Sequence, residues 1–146
     1  VPPCPMNNLF DGEMKSMILQ TTLSLAAAAA IINLWQIMRI GSLRHKLNIV
    51  HGDGGNPLLM HRMRAQLNFV ENTPFVLILI AAIEMTGKGG TWLAIVGALY
   101  MLGRMLHVFG MDRDTGNALR SIGTFATLLT LLGLSTMAVL IALGRF

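Results

Sequence analysis

Four long apolar stretches divide the chain, and its charged residues gather between them. The first runs from about Met17 to Met38, roughly 22 residues and about 33 Å as a helix, enough to cross a hydrocarbon core. Its interior, LSLAAAAAIINLW, is uncharged, and Trp35 stands near one end, where interfacial aromatics gather. The second covers about 57–86, with Asn56 placed for an N-cap and Pro57 for the first helical turn. A TGKGG turn leads to a third stretch over about 91–111; MDRDTGN ends it, and a fourth follows over about 118–143. The turns at 87–90 and 112–117 are short, so the helices they join should be antiparallel neighbours. There is no period-two strand pattern and no internal repeat.

This pattern predicts an all-α, integral membrane four-helix bundle over residues 17–146, behind a tail at 1–16. The tail, VPPCPMNNLFDGEMKS, does not open on methionine and is rich in turn formers. It reads as an appended or processed end, with Met6, Met14 and Met17 each able to serve as a start. Cys4, the single cysteine, leaves no intrachain disulfide and no thiolate metal cluster, and reads as a free thiol in that tail. Composition agrees with a membrane setting. Hydrophobic residues make up 53% of the chain and charged ones 12%, about half the usual charged share of a soluble domain. The net charge of +4 is not clustered with stacking aromatics, which argues against a nucleic-acid surface.

The basic residues also orient the bundle. Arg39, Arg44, Lys46, Arg62, Arg64, Arg104, Arg113 and Arg120 flank the first and third connections; Lys15, Lys88 and Arg145 lie on the other side. Eight against three puts both connections in the cytoplasm and both termini on the non-cytoplasmic side.

The second stretch carries charge that a lipid-facing helix would not. Arg64, Asn68 and Glu71 recur at i, i+4 and i+7, one stripe on one helical face. Ionisable residues inside a membrane bundle are candidates for a functional site. Arg104, His107 and Met111 repeat the spacing in the third stretch, and Arg120 and Ser121 open the fourth. Three helices thus offer cations, a carboxylate, an amide and a hydroxyl near one membrane face. The competing reading is structural: Arg64 and Glu71 pair with Arg104 or Arg120 and stitch the bundle, and His107 is a packing histidine. Buried ion pairs are often no more stable than apolar replacements, which favours a site. Pro74 removes one helical hydrogen bond near Val70 and is expected to bend the helix above Glu71. No metal site is expected: His45, His51 and His61 lack ligand spacing, and HGDGGN lacks further ligands. GDGG has no preceding strand and no GK[ST], so it reads as a flexible turn delivering Asp53 and Asn56 to the next helix.

HGDGGNPLLMHRMRAQLNFVENTPFVLILIAAIE, GRMLHVFG and LRS together resemble the MAPEG family, the membrane-associated proteins in eicosanoid and glutathione metabolism, over roughly residues 20–143. The likeness is greatest to its bacterial branch. The resemblance implies a homotrimer with glutathione at each subunit interface near the cytoplasmic face of the inner membrane. It further implies that Arg44, Arg64, Asn68, Glu71, Arg104 and His107 bind glutathione, with Arg120 and Ser121 beside the thiol. Met111 and Thr124 stand where the eicosanoid enzymes of the family have tyrosines, and Leu67 where the prostaglandin enzyme has an arginine. Those departures point away from prostaglandin or leukotriene chemistry.

The chemistry is consistent with the residues. Glutathione carries two carboxylates and one ammonium, and arginine binds carboxylates through a planar fork. A thiol of pKa about 8.5 is only a few per cent ionised at neutral pH. Arg120 with the Ser121 hydroxyl would lower it by about two units, about 2.7 kcal/mol. The expected function is therefore a glutathione-dependent transferase or peroxidase acting on a lipophilic second substrate among the membrane lipid. A non-catalytic protein holding glutathione or lipid at the same site is the alternative. A four-span exporter would need an acidic residue in the middle of the first stretch, and none is there.

Overall fold

A computed structural model describes residues 19–113 and 116–146. The tail, with Cys4, Met6, Met14 and Met17, lies outside the described residues. Four helices follow one another: α1 (Gln20–Leu47), α2 (Pro57–Met85), α3 (Thr91–Met111) and α4 (Ala118–Ala142). All four are long and apolar enough to cross a membrane.

The first helix differs from its expected extent. It does not end near Met38 but runs on to Leu47, through Arg39, Arg44, His45 and Lys46. A charge ends an apolar run without ending a helix. The backbone stops only at Asn48, left-handed at φ 53°, where Ile49 N–H donates to the Arg44 carbonyl at 3.0 Å and Asn48 N–H to that of His45 at 3.3 Å. These bonds form a Schellman cap, and the cations of the last turn complement the helix dipole.

The second helix starts as its sequence dictates. Asn56 Oδ1 accepts from Leu59 N–H at 2.9 Å, and Pro57 takes the first position. Pro74 sits inside α2 without ending it. The other end of α2 finishes a different helix. Leu19 gives α1 no side-chain cap. Instead the Glu84 carboxylate accepts from Thr21 N–H at 2.8 Å, Thr22 N–H at 2.9 Å and the Thr22 hydroxyl at 2.7 Å. An anion at a helix N-terminus satisfies orphan donors and meets the positive end of the dipole.

The core runs through the half of the bundle away from the basic end. Leu25, Phe69, Val76, Ile80, Leu93, Tyr100 and Leu134 form one buried apolar cluster. Within it the Tyr100 and Thr73 hydroxyls lie 3.0 Å apart and satisfy each other. A smaller cluster of Ala65, Val108 and Met111 packs with Trp35 nearer the basic end. Helices α3 and α4 approach most closely. A Cβ on Gly110 would lie 2.4 Å from the Arg120 backbone nitrogen, and one on Gly123 would lie 2.4 Å from His107 Cβ. Small residues permit such contact where hydrophobic driving force between helices is weak. Leu34, Phe75, Ile78, Leu99, Phe125, Leu128 and Leu132 are exposed, as expected of surfaces that face lipid or another subunit.

Candidate functional site

Arg44 and Arg64 come together at the basic end. Both line an open cavity of about 890 Å³ between the end of α1, the connecting loop and the start of α2. Asp53, Gln66, Met60 and Met63 share its wall. Arg44 is held by Val50, whose carbonyl accepts from Nη1 at 3.1 Å, and its Nη2 lies 3.3 Å from the Met63 sulfur. Arg64 is exposed, and among the described residues neither Arg64 nor Glu71 makes an ion pair within the chain. Asn68 is half-buried, and its carbonyl accepts from the Asn72 amide at 2.8 Å. Glu71 is exposed farther along α2, off the cavity wall.

Arg104 and His107 lie elsewhere. Arg104 is 0% exposed, and its Nη1 donates to the Thr127 hydroxyl on α4 at 3.1 Å. Its guanidinium stands 5.9 Å from the centre of the Phe69 ring, while Nε and Nη2 find no hydrogen-bond partner among the described residues. His107 Nδ1 lies 3.3 Å from the Arg120 carbonyl and 3.4 Å from the Thr124 hydroxyl. Both side chains therefore bind α3 to α4. Arg120 and Ser121 are exposed at the start of α4, where the Asn117 side chain accepts from Arg120 N–H at 3.0 Å and caps the helix. The Asn117 amide also donates to the Gly110 carbonyl at 2.8 Å, which fixes the turn against the end of α3.

The single cluster expected across three helices does not form within one subunit. On α2 the buried residues Ala65, Phe69, Thr73, Val76, Ile80 and Ile83 share one face. The stripe of Arg64, Asn68 and Glu71 lies about 120° around the helix from it, at 3.6 residues per turn. The stripe faces outward while Arg104 and His107 face inward. Stitching ion pairs do exist, but between other residues. Asp112, at the end of α3, pairs with Arg39 of α1 and with Arg62 of α2, the latter at 3.2 Å. Arg39 also lies over the Trp35 ring, 4.7 Å from its centre. Asp112 did not stand out in the sequence, and Asp53 was read only as a residue delivered by a flexible turn. Asp112 sits in a turn-forming run whose composition explains it without partners, and Asp53 sits in a glycine loop. A second cavity, about 470 Å³ between α3 and α4, is lined by Trp92, Leu129, Gly133, Met137 and neighbours, with no charged residue in its wall. No group of three or more histidine, cysteine or carboxylate side chains fit to hold a metal occurs among the described residues.

Comparison with known families matches residues 22–140 to the MAPEG family. The chain belongs to the MAPEG family. The match takes in all of α2, α3 and the Arg120–Ser121 turn, together with most of α1 and α4, so each candidate residue falls inside the MAPEG region. The chain is also 35% identical to the inner membrane protein YecN of Escherichia coli K12 over 69 residues, 47% of this chain and 52% of that protein. The protein of the same name in Escherichia coli O6:H1 strain CFT073 gives the same figures. The aligned part spans about half the length of these relatives.

Proposed function

We propose that this MAPEG protein is a glutathione-dependent enzyme of the bacterial inner membrane, of transferase or peroxidase type, acting on lipophilic electrophiles or hydroperoxides. The observation that carries the reading is the cavity at the basic end. Two arginines and one aspartate line it, and glutathione offers two carboxylates and one ammonium. The charges complement one another one for one. The name of the YecN relatives supports the inner membrane, and the basic residues around the first and third connections support a cytoplasmic position for the cavity.

In this reading Arg44 and Arg64 take carboxylates through charge-assisted hydrogen bonds. The exposed stripe of α2 is completed by a second copy in a homotrimer, since Glu71 turned to lipid would cost about 2.5–3.5 kcal/mol at mid-bilayer. The start of a neighbouring α4 would bring Arg120 and Ser121 to that stripe. Glutathione, when bound, would supply a thiol whose thiolate bonds to an electrophilic carbon as the leaving group departs with its electron pair, or, with a second glutathione, reduces a hydroperoxide to alcohol and water while the two thiols are oxidised to a disulfide. Arg120 stabilises the ionised sulfur electrostatically, and the Ser121 hydroxyl donates a hydrogen bond to it. Arg104 and His107 act from behind, keeping α4 and its first turn seated on α3.

Calorimetric titration of the purified protein in detergent with glutathione tests the site; conjugation to a lipophilic aryl halide tests the chemistry. Binding with turnover is expected. Binding without turnover of either an aryl halide or a lipid hydroperoxide would make the protein a holder of glutathione, and absence of binding would overturn the site.

A further inference from the structure

The seam between α3 and α4 changes character along its length. Near the basic end it is tight: a Cβ on Gly110 or Gly123 would meet its neighbour at 2.4 Å, and one on Gly103 would meet Ala126 Cβ at 2.8 Å. Two turns beyond Ala126, a Cβ on Gly133 would meet nothing within 4 Å. There the helices part around the cavity of about 470 Å³. Trp92 and Leu99 of α3 stand on one wall; Ala126, Thr130, Gly133 and Met137 of α4, at i, i+4, i+7 and i+11, stand on the other. Three of those four α4 residues are small, which leaves the hollow. From Ala126 to Met137 it runs about 16 Å at 1.5 Å per residue, about half of a hydrocarbon core about 30 Å thick. Its mouth carries charge. The Trp92 indole N–H donates to the Lys88 carbonyl at 3.2 Å, which ties that wall to the exposed turn holding Lys88. Arg145 is exposed just beyond α4, at the same end of the bundle. Glu84, the one acid at this end among the described residues, is taken by the N-terminus of α1. Among the described residues neither Lys88 nor Arg145 makes an ion pair.

We propose that this groove binds an anionic phospholipid, with one acyl chain along α4 and the phosphate held by Lys88 and Arg145. The proposal is independent of the glutathione reading. Each part of the groove matches a part of such a lipid. The wall holds no charged residue, and its length is the depth of one leaflet. Left empty, the hollow would forfeit dispersion contacts on both walls, and a flexible chain supplies them. Tryptophan at the mouth suits the level where chains meet headgroups. Cations near a membrane surface attract anionic headgroups, so Lys88 and Arg145 select an anionic lipid over a zwitterionic one. A lipophilic reactant would be misplaced here, since Gly133 lies about 18 Å along α4 from Ser121 at 1.5 Å per residue. A second copy fits the charge poorly, because among the described residues it offers no free acid at this end.

The test uses the full chain carrying Trp35→Phe, which leaves Trp92 as its sole tryptophan. It is reconstituted in bilayers of dibrominated phosphatidylcholine, whose bromines quench indole fluorescence on contact. Unbrominated phosphatidylglycerol or unbrominated phosphatidylcholine is then mixed in. Trp92 should be quenched, and phosphatidylglycerol should relieve the quenching at a mole fraction lower by about tenfold than phosphatidylcholine. Lys88→Gln should cut that preference to about a third, and Lys88→Gln with Arg145→Gln should erase it. Gly133→Leu fills the hollow and should also erase it; leucine is a better helix former than glycine, so the variant should fold. Three results would overturn the proposal. Trp92 left unquenched before the last substitution would show a second copy covering the groove. Equal relief by both lipids would show that no lipid is selected. A preference that survives Gly133→Leu would place the attraction on the open surface and not in the groove. None of these bears on glutathione binding, which calorimetry reads separately.

Discussion

Arg64 and Arg104 look alike in the sequence, each heading a polar stripe on a membrane helix, yet the fold treats them in opposite ways. Arg64 is exposed on the outer face of α2, at the wall of an open cavity. Arg104 is sealed between α3, α4 and Phe69, with one hydrogen bond to Thr127 and two nitrogens unmatched among the described residues. A cation that is to meet a ligand must remain reachable, and one that is sealed must act through packing and field. On the proposed reading the outer face of α2 is the binding surface, and the seam between α3 and α4 is the frame that supports it.

The seam offers the largest expected effect. Gly110→Val places a side chain against the Arg120 backbone, which has no flexible end to yield. Overpacking of this kind should cost about 3 kcal/mol, visible as an earlier thermal unfolding transition in detergent. Gly133 has open space around it, so Gly133→Ala serves as the control and should unfold like wild type. Equal transitions for all three proteins would mean that the seam is looser than its geometry.

The next test separates the two arginines. Arg64→Ala should weaken glutathione binding by about 2 kcal/mol, about thirtyfold, by leaving a ligand carboxylate without its partner, and should leave unfolding unchanged. Arg104→Met keeps the bulk of the side chain and removes a buried charge. Loss of the bond to Thr127 and relief of an unpaired buried charge oppose each other, so unfolding should shift by no more than about 1 kcal/mol, and binding should weaken less than in Arg64→Ala. The reverse order of binding losses would make Arg104 the ligand residue and the cavity at the basic end incidental.

How much of this was legible depended on which neighbour a helix meets. The four helices could be read because uncharged runs long enough to cross a bilayer have few alternatives. Pro57 and Asn56 marked the start of α2 for local reasons, and local chemistry decided it. The end of α1 was not legible, since Arg39 looks like a boundary until Trp35 and Asp112 are seen to receive it. For the site, spacing correctly grouped Arg64, Asn68 and Glu71 on one face but could not say that the face points outward. Arg104 and His107 share a face with Tyr100, Gly103 and Gly110, and those small and buried neighbours were the available sign of internal packing. Asp53 was hidden because a glycine-rich loop reads as flexible until its cap, its turn and its contact with Ile49 are seen together.

Two smaller effects sharpen the contrast between frame and surface at the first turn of α4, where the two meet. Arg120→Leu should lower the ultraviolet thiolate absorbance of bound glutathione at neutral pH by about one unit of thiol pKa, about 1.4 kcal/mol. Glutathione affinity should fall less than in Arg64→Ala, because carboxylate contacts dominate binding. Arg113, exposed in the preceding turn, is the control. If Arg113→Leu abolishes the thiolate signal and Arg120→Leu spares it, the turn and not α4 carries the activating charge.

Ser121→Ala should act in the same direction and more weakly. The Ser121 hydroxyl lies 3.4 Å from the Asn117 carbonyl, a long hydrogen bond to its own helix. To serve an ionised sulfur it must give up that bond, so the thiolate gains only the difference between the two. A bond to a charged acceptor is worth about 1.5–3 kcal/mol and an ordinary one about 1, which leaves about 1 kcal/mol, or about fivefold in the thiolate to thiol ratio. A Ser121→Ala loss as large as that of Arg120→Leu would show the hydroxyl to be the principal stabiliser. No loss at all would show that Ser121 stays on Asn117 and that Arg120 acts alone.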